Sequence, residues 1–141
     1  MIIEERMRRA ISKRKDDVFV RSELAGLGSE AQVSRALRRL IDRGIIVKLG
    51  VGVYAKAKKS VLSGSAIPVR PVGVLAPIAL RKLGVRIYPS QMTQEYNSGS
   101  TTQLPAGNVL NTGTRRIVRK LAFGNQEIVY ENSNQVPGRT H

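Results

Sequence analysis

Residues 22–54 read SELAGLGSEAQVSRALRRLIDRGIIVKLGVGVY, and the fold class follows from this stretch. Ser29 is a natural N-cap: its hydroxyl can satisfy one of the N–H groups that a first helical turn leaves unpaired, and Gly28 loosens the chain ahead of it. Beyond the cap, Val33, Ala36, Leu37, Leu40 and Ile41 recur at i, i+3, i+4, i+7 and i+8, the spacing of one apolar stripe on a helix over residues 29–43. The opposite side then carries Gln32, Arg35, Arg38, Arg39 and Asp42, with Ala31 and Ser34 on its shoulders near the N-terminal end. Gly44 supplies a left-handed stop, and the β-branched run Ile45, Ile46, Val47, Lys48, Leu49 predicts a strand. Gly50, Val51 and Gly52 turn the chain into Val53, Tyr54 and Ala55, which completes a hairpin.

Upstream, Ser22 is positioned to cap a brief helix through Glu23, Leu24 and Ala25, with Gly26 and Gly28 forming a tight connection. Ile3, Met7, Ala10 and Ile11 form another helical stripe, and Val18, Phe19 and Val20 predict a short third strand beside the hairpin. The order helix, turn, helix, hairpin predicts a winged helix-turn-helix over residues 1–59, the hairpin being the wing.

A helix of this kind fits the major groove of B-DNA, with its exposed N-terminal half reaching base edges. The expected base contacts are Ala31, Gln32, Ser34 and Arg35, Gln pairing with adenine and Arg with guanine. Ser29, Arg38, Arg39, Lys48, Lys56, Lys58 and Lys59 are expected on the sugar–phosphate backbone, where contacts position rather than specify. The plain alternative for such an arginine run is a solvated face. Gly50-Val51-Gly52 is not expected to cradle a phosphate, because a strand rather than a helix follows it.

Composition agrees with a polyanionic partner. Lys and Arg number 24 against 10 Asp and Glu, a formal net charge of +14, and dividing the chain after Ser60 leaves +8 and +6 on the two parts. Charge alone does not separate DNA from RNA or from anionic lipid. There is no cysteine, so disulfides and thiolate metal sites are excluded, in keeping with a reducing, cytoplasmic location. No apolar run approaches the roughly 18 residues of a membrane span, and the acidic Glu4 and Glu5 do not suit a signal peptide.

Enzymatic chemistry finds little support. The only histidine is His141, the last residue. Asp16-Asp17 and Glu4-Glu5 are adjacent pairs that point apart in a helix or turn, and Ser98, Ser100, Thr101 and Thr102 have no evident base to activate them. No cofactor and no metal are expected.

Lys56 to Pro71 mixes Lys, Ser, Gly and Pro, so residues 60–71 read as a linker, with a short extended piece at 67–70. A small α+β module is expected over 72–132, and a flexible tail over 133–141. In the module Pro77 suits the first turn of a helix that stops at Gly84, Val85 to Tyr88 reads as a strand, and Ser90 caps a short helix over 91–97. Strands follow at 108–111, 115–123 and 126–132, the last two joined at Gly124-Asn125, a favoured two-residue hairpin turn. Arg115, Arg116, Arg119 and Lys120 form a second basic cluster, readable as secondary nucleic-acid contacts or as edge-strand charges that discourage aggregation. Tyr88, Tyr96 and Tyr130 are read as core or rim residues before stacking platforms.

The run from Arg35-Ala36-Leu37-Arg38-Arg39-Leu40 through Arg43-Gly44-Ile45-Ile46 to Leu49-Gly50-Val51-Gly52-Val53-Tyr54 resembles the winged helix of AbiEi-type antitoxins and related regulators. Pro89-Ser90, Ser100-Thr101-Thr102-Gln103-Leu104-Pro105-Ala106, Gly113 with Arg115-Arg116, and the Gly124-Asn125 turn are similar to the module that follows the wing in that family. The likeness spans residues 6–131. It implies an antitoxin that autorepresses a type IV toxin–antitoxin operon by binding repeats in its own promoter, possible as a homodimer, and that counters a nucleotidyltransferase-like toxin without necessarily touching it. A basic RNA-binding or ribonucleoprotein component that reads shape is the reading of a second class, and a protein-interaction module drawing an acidic partner is a third.

Overall fold

The computed structural model describes residues 2–88 and 108–132 and is of the α+β class. The chain divides into two compact units, Met1–Pro71 and Val72–His141.

In the first unit, helix α1 (Ile3–Lys13) buries Met7 and Ile11 from the expected stripe and places Glu4 and Glu5 in its first turn, where the helix dipole favours acids. Strand β1 (Val18–Val20) leads without a loop into a 3-10 helix, Arg21–Leu27. This differs from the expected brief helix capped by Ser22. The turn starts two residues earlier, so Ser22 lies within it, and the cap is the Glu23 carboxylate, which accepts from the Val20 N–H at 2.9 Å. Helix α2 (Glu30–Asp42) begins as expected at Ser29, whose Oγ accepts from the Gln32 N–H at 3.2 Å while Gln32 Oε1 accepts from the Ser29 N–H at 2.9 Å. Val33, Ala36, Leu37 and Leu40 are buried. The helix stops at Gly44, φ +73°, where the Ile45 N–H donates to the Leu40 carbonyl and the Gly44 N–H to the Ile41 carbonyl.

Strands β2 (Ile46–Gly50) and β3 (Val53–Lys59) form the expected hairpin, with Lys48 opposite Tyr54 and Gly52 at φ +71° in the turn. β1 pairs antiparallel with the other edge of β3, Phe19 opposite Tyr54, and the two rings stack with centroids 5.9 Å apart. The core closes around Met7, Phe19, Leu24, Leu37, Leu40 and Ile46, so every element before residue 55 contributes to it. Residues 60–71, expected as a linker with a short extended piece at 67–70, carry strand β4 (Ala66–Pro68) at that piece. β3 runs on to Lys59, the Ser60 hydroxyl accepts from the N–H groups of Leu62 and Ser63, and β4 returns to pair with Ala57–Lys59. A serine-capped turn thus converts a polar, glycine-containing run into a second hairpin.

In the second unit, helix α3 (Val72–Lys82) starts five residues before the expected Pro77, which sits inside it. The Val72 N–H is satisfied by Gln126 Oε1 at 3.1 Å, a cap supplied from far along the chain. The helix ends at Gly84 as expected, φ +83°, with the Val85 N–H on the Leu80 carbonyl. Val85 to Tyr88 forms only an isolated bridge, Tyr88 to Asn111, rather than a strand. The helix expected at 91–97 lies outside the described residues, as does the tail at 133–141.

β5 (Val109–Asn111) pairs in parallel with β8 (Val129–Glu131), and β6 (Ala122–Phe123) with β7 (Gln126–Glu127) across the expected Gly124-Asn125 turn. The single strand expected at 126–132 is therefore split at Ile128 between two partners. The strand expected at 115–123 is also reduced, to β6 alone. The carbonyls that a ladder would use are taken by side chains: Thr112 Oγ1 and Asn132 Nδ2 donate to the Arg115 carbonyl, and Tyr130 Oη donates to that of Arg119.

Candidate nucleic-acid interface

The outward side of α2 holds Ala31, Arg35, Arg38 and Asp42, all exposed, and a groove runs along each flank. Toward α1 the groove encloses about 480 Å³ and is lined by Gln32, Arg35 and Arg39 with Arg6, over a floor that includes Ile3, Leu27 and Ala36. Toward the β2–β3 hairpin the other encloses about 430 Å³ and is lined by Ser34, Arg38 and Lys48 with Arg21, over Leu37, Ile41 and Tyr54. The helical period produces this division: Arg35 and Arg39 fall four residues apart on one edge of the exposed side, Ser34 and Arg38 on the other.

The arginines of this surface make no ion pair among the described residues. Glu4, which also lines the groove toward α1, is held by Arg43 at 3.0 Å, and the other pairs are Arg14 with Glu23, Arg70 with Asp17 at 2.9 Å, and Lys120 with Glu127 at 3.9 Å. Arg35, Arg38 and Arg39 have no such partner there. Three guanidinium groups on one helix, free to donate, make a surface that attracts anions and offers bidentate hydrogen bonds.

Not every expected contact joins it. Gln32 shares its carbonyl oxygen with the cap and keeps its NH₂ wholly for a ligand. Ser34 Oγ accepts from Arg21 Nη2 at 2.8 Å. Lys56 departs from the expectation of a free backbone contact: it is half-buried, and its ammonium donates to the Arg14 carbonyl at 2.6 Å. Lys58 and Lys59 are exposed, but six or seven strand residues beyond Gly52 carry them about 20 Å or more from the hairpin turn, beside β4. Lys48 is the strand lysine that shares a groove with α2.

Two residues missing from the sequence reading complete the grooves. Arg6 stands three residues after Ile3 on the shoulder of the α1 stripe, a position legible as groove-facing once α1 is known to pack beside α2. Arg21 carries no periodic signal. Its N–H donates to the Gly52 carbonyl at 2.9 Å, and its Nη2 to the Glu30 carbonyl at 2.9 Å as well as to Ser34, so it ties the hairpin turn to the first turn of α2.

In the second unit the expected basic cluster is dispersed. Arg115 Nη1 donates to the Gly84 carbonyl at 3.1 Å, Lys120 approaches Glu127, and Arg116 is exposed. Partial burial holds the Tyr130 phenol above its ordinary pKa, an effect that the nearby Arg119 charge opposes. Tyr96, Ser98, Ser100, Thr101, Thr102 and His141 lie outside the described residues. Among the described residues no group of three His, Cys, Asp or Glu side chains gathers to hold a metal, and no helix is long and apolar enough to cross a membrane.

The class defined by these features is an α+β protein whose first unit exposes an arginine-rich helix between two grooves that are each lined by several cations. The chain belongs to DUF6088, a family of unknown function whose model matches residues 3–136. No curated protein and no solved structure matches it.

Proposed function

We propose that residues 1–71 are a winged helix-turn-helix that binds double-stranded DNA, with α2 as the recognition helix and the β2–β3 hairpin as the wing. The observation that carries the reading is the placement of α2 between two cationic grooves, Arg6, Arg35 and Arg39 on one flank and Arg21, Arg38 and Lys48 on the other. A helix lying in the major groove meets a phosphate backbone on each side, so cations are needed on both flanks. The element order α1, β1, 3-10 turn, α2, β2, β3, with β1 beside β3, further supports it. Arg35, with Ala31, faces base edges in this reading, Ser34 is held by Arg21, and Arg38 and Lys48 hold phosphates. Together with the likeness to AbiEi-type antitoxins, this suggests a cytoplasmic transcriptional regulator that binds repeats in its own promoter, as a homodimer or as adjacent monomers, and acts as the antitoxin of a type IV system.

Fluorescence anisotropy tests it, with the upstream region of the gene, a scrambled duplex and a structured RNA titrated across a salt series. The expected result is selective binding to the upstream duplex, weakened by about 1–3 kcal/mol in Arg35→Ala with one base position relaxed. Lys48→Ala is expected to weaken all duplexes alike and to reduce the salt slope by about 1, whereas Lys58→Ala leaves binding nearly unchanged. Equal, salt-sensitive binding to all three nucleic acids would overturn the regulator reading in favour of a shape-reading RNA binder.

A further inference from the structure

Residues 116–120 of the second unit belong to no strand pair, yet their exposure alternates. Arg116, Val118 and Lys120 are exposed, Ile117 and Arg119 are half-buried, and Leu121 is buried. A period of two is that of an extended chain. Both ends of the segment are held. Upstream, Asn132 and Thr112 grip the Arg115 carbonyl. Downstream, Tyr130 Oη donates to the Arg119 carbonyl at 2.6 Å, and the Leu121 carbonyl accepts from the Ile128 N–H at 2.9 Å as the chain enters β6. Between these anchors Arg116, Ile117 and Val118 make no backbone hydrogen bond among the described residues. An anchored, extended backbone with open N–H and C=O groups is a template for one further strand.

We propose that residues 116–120 are a docking edge that accepts an extended acidic segment of a partner protein by strand addition. The exposed row is cation, aliphatic, cation, with Val118 89% exposed between Arg116 and Lys120. The complementary strand places acid, apolar and acid residues opposite them. Glu127 stands 3.9 Å from Lys120 with both side chains exposed, a loose pair that an incoming carboxylate can replace. A second copy of the same edge would set like charges against each other, which is how charged edges resist self-pairing. A nucleic-acid backbone would engage the cations but leave both Val118 and the open backbone groups unused.

Amide NMR of the intact protein tests the edge, using an end-blocked Glu-Thr-Val-Thr-Glu peptide, which places acid, apolar and acid on one strand face, its Lys-Thr-Val-Thr-Lys counterpart and a DNA duplex as separate probes. The acidic peptide is expected to shift the amides of residues 116–120 and to slow the exchange of those of Arg116, Val118 and Lys120, which face away from the anchored edge, and the lysine peptide to leave them unchanged. The double variant Arg116→Gln with Lys120→Gln, which alters only exposed side chains, is expected to weaken the acidic peptide by about tenfold. Val118→Pro removes a backbone donor and is expected to abolish the slowed exchange. Unshifted amides with the acidic peptide, or equal affinity in the double variant, would overturn the proposal. Shifts at these amides with the duplex and not with the peptide would assign the segment to nucleic acid and overturn it equally.

Discussion

Ser29 and Gln32 exchange hydrogen bonds across the first turn of α2, so the side chain nominated to read adenine is also a structural cap. Removing the hydroxyl leaves the Gln32 N–H unpaired at the helix end. Ser29→Ala is expected to cost about 1 kcal/mol in chemical denaturation, and Ser29→Asp to retain most of that stability. Bidentate pairing of Gln32 with adenine would have to use the second lone pair of its capping carbonyl oxygen. Tyr130 gives a pH-dependent signature of the second unit. Its folded-state pKa is raised above 10.0, chiefly by burial, so the folded protein favours the protonated phenol. The associated stability is complete below the unfolded phenol value and is lost as pH rises through the raised one. Alkaline denaturation should therefore fall off less steeply in Tyr130→Phe than in the native chain, and an identical pH profile for the two would contradict this account.

α2 was legible almost residue for residue, since its cap, its stripe and its glycine stop all act within a few positions. Gly44 shows the cost of that stop. A methyl group there would meet only Ala66 Cβ at an ordinary 3.5 Å, so the penalty for Gly44→Ala comes from the left-handed backbone, about 1–2 kcal/mol by thermal or chemical denaturation. Leu40, fully buried at the centre of the stripe, should lose about 2–5 kcal/mol on conversion to Ala. The start of α3 was not legible. Pro77 looks like a first-turn residue, but Val72 can begin the helix because Gln126 caps it from β7, and no local pattern announces such a partner. The reduced strand at 115–121 has the same origin: Asn132 and Tyr130 occupy its carbonyls from positions well downstream.

At the scale of the molecule, the net charge of +14 predicts attraction to polyanions but not where they bind. The first unit closes its own core between Met7 and Tyr54 and contains both flanking grooves. Residues 1–71 produced alone are therefore expected to fold and to bind the upstream duplex with nearly the salt slope of the whole chain, as measured by anisotropy. A large loss of slope would place important phosphate contacts in the second unit. The linear order of residues by itself determined the α+β class, the helix from Ser29, its glycine stop, the following hairpin and the Gly124-Asn125 turn, because caps, apolar periods and positive-φ glycines are short-range effects. Only the tertiary structure decided that Arg6 and Arg21 join the arginines of α2, that Lys56 is spent on the Arg14 carbonyl, and that residues 60–71 close a second hairpin. Those outcomes depend on which distant backbone and side-chain groups meet once the core has packed, and packing is not a property of any short stretch of chain.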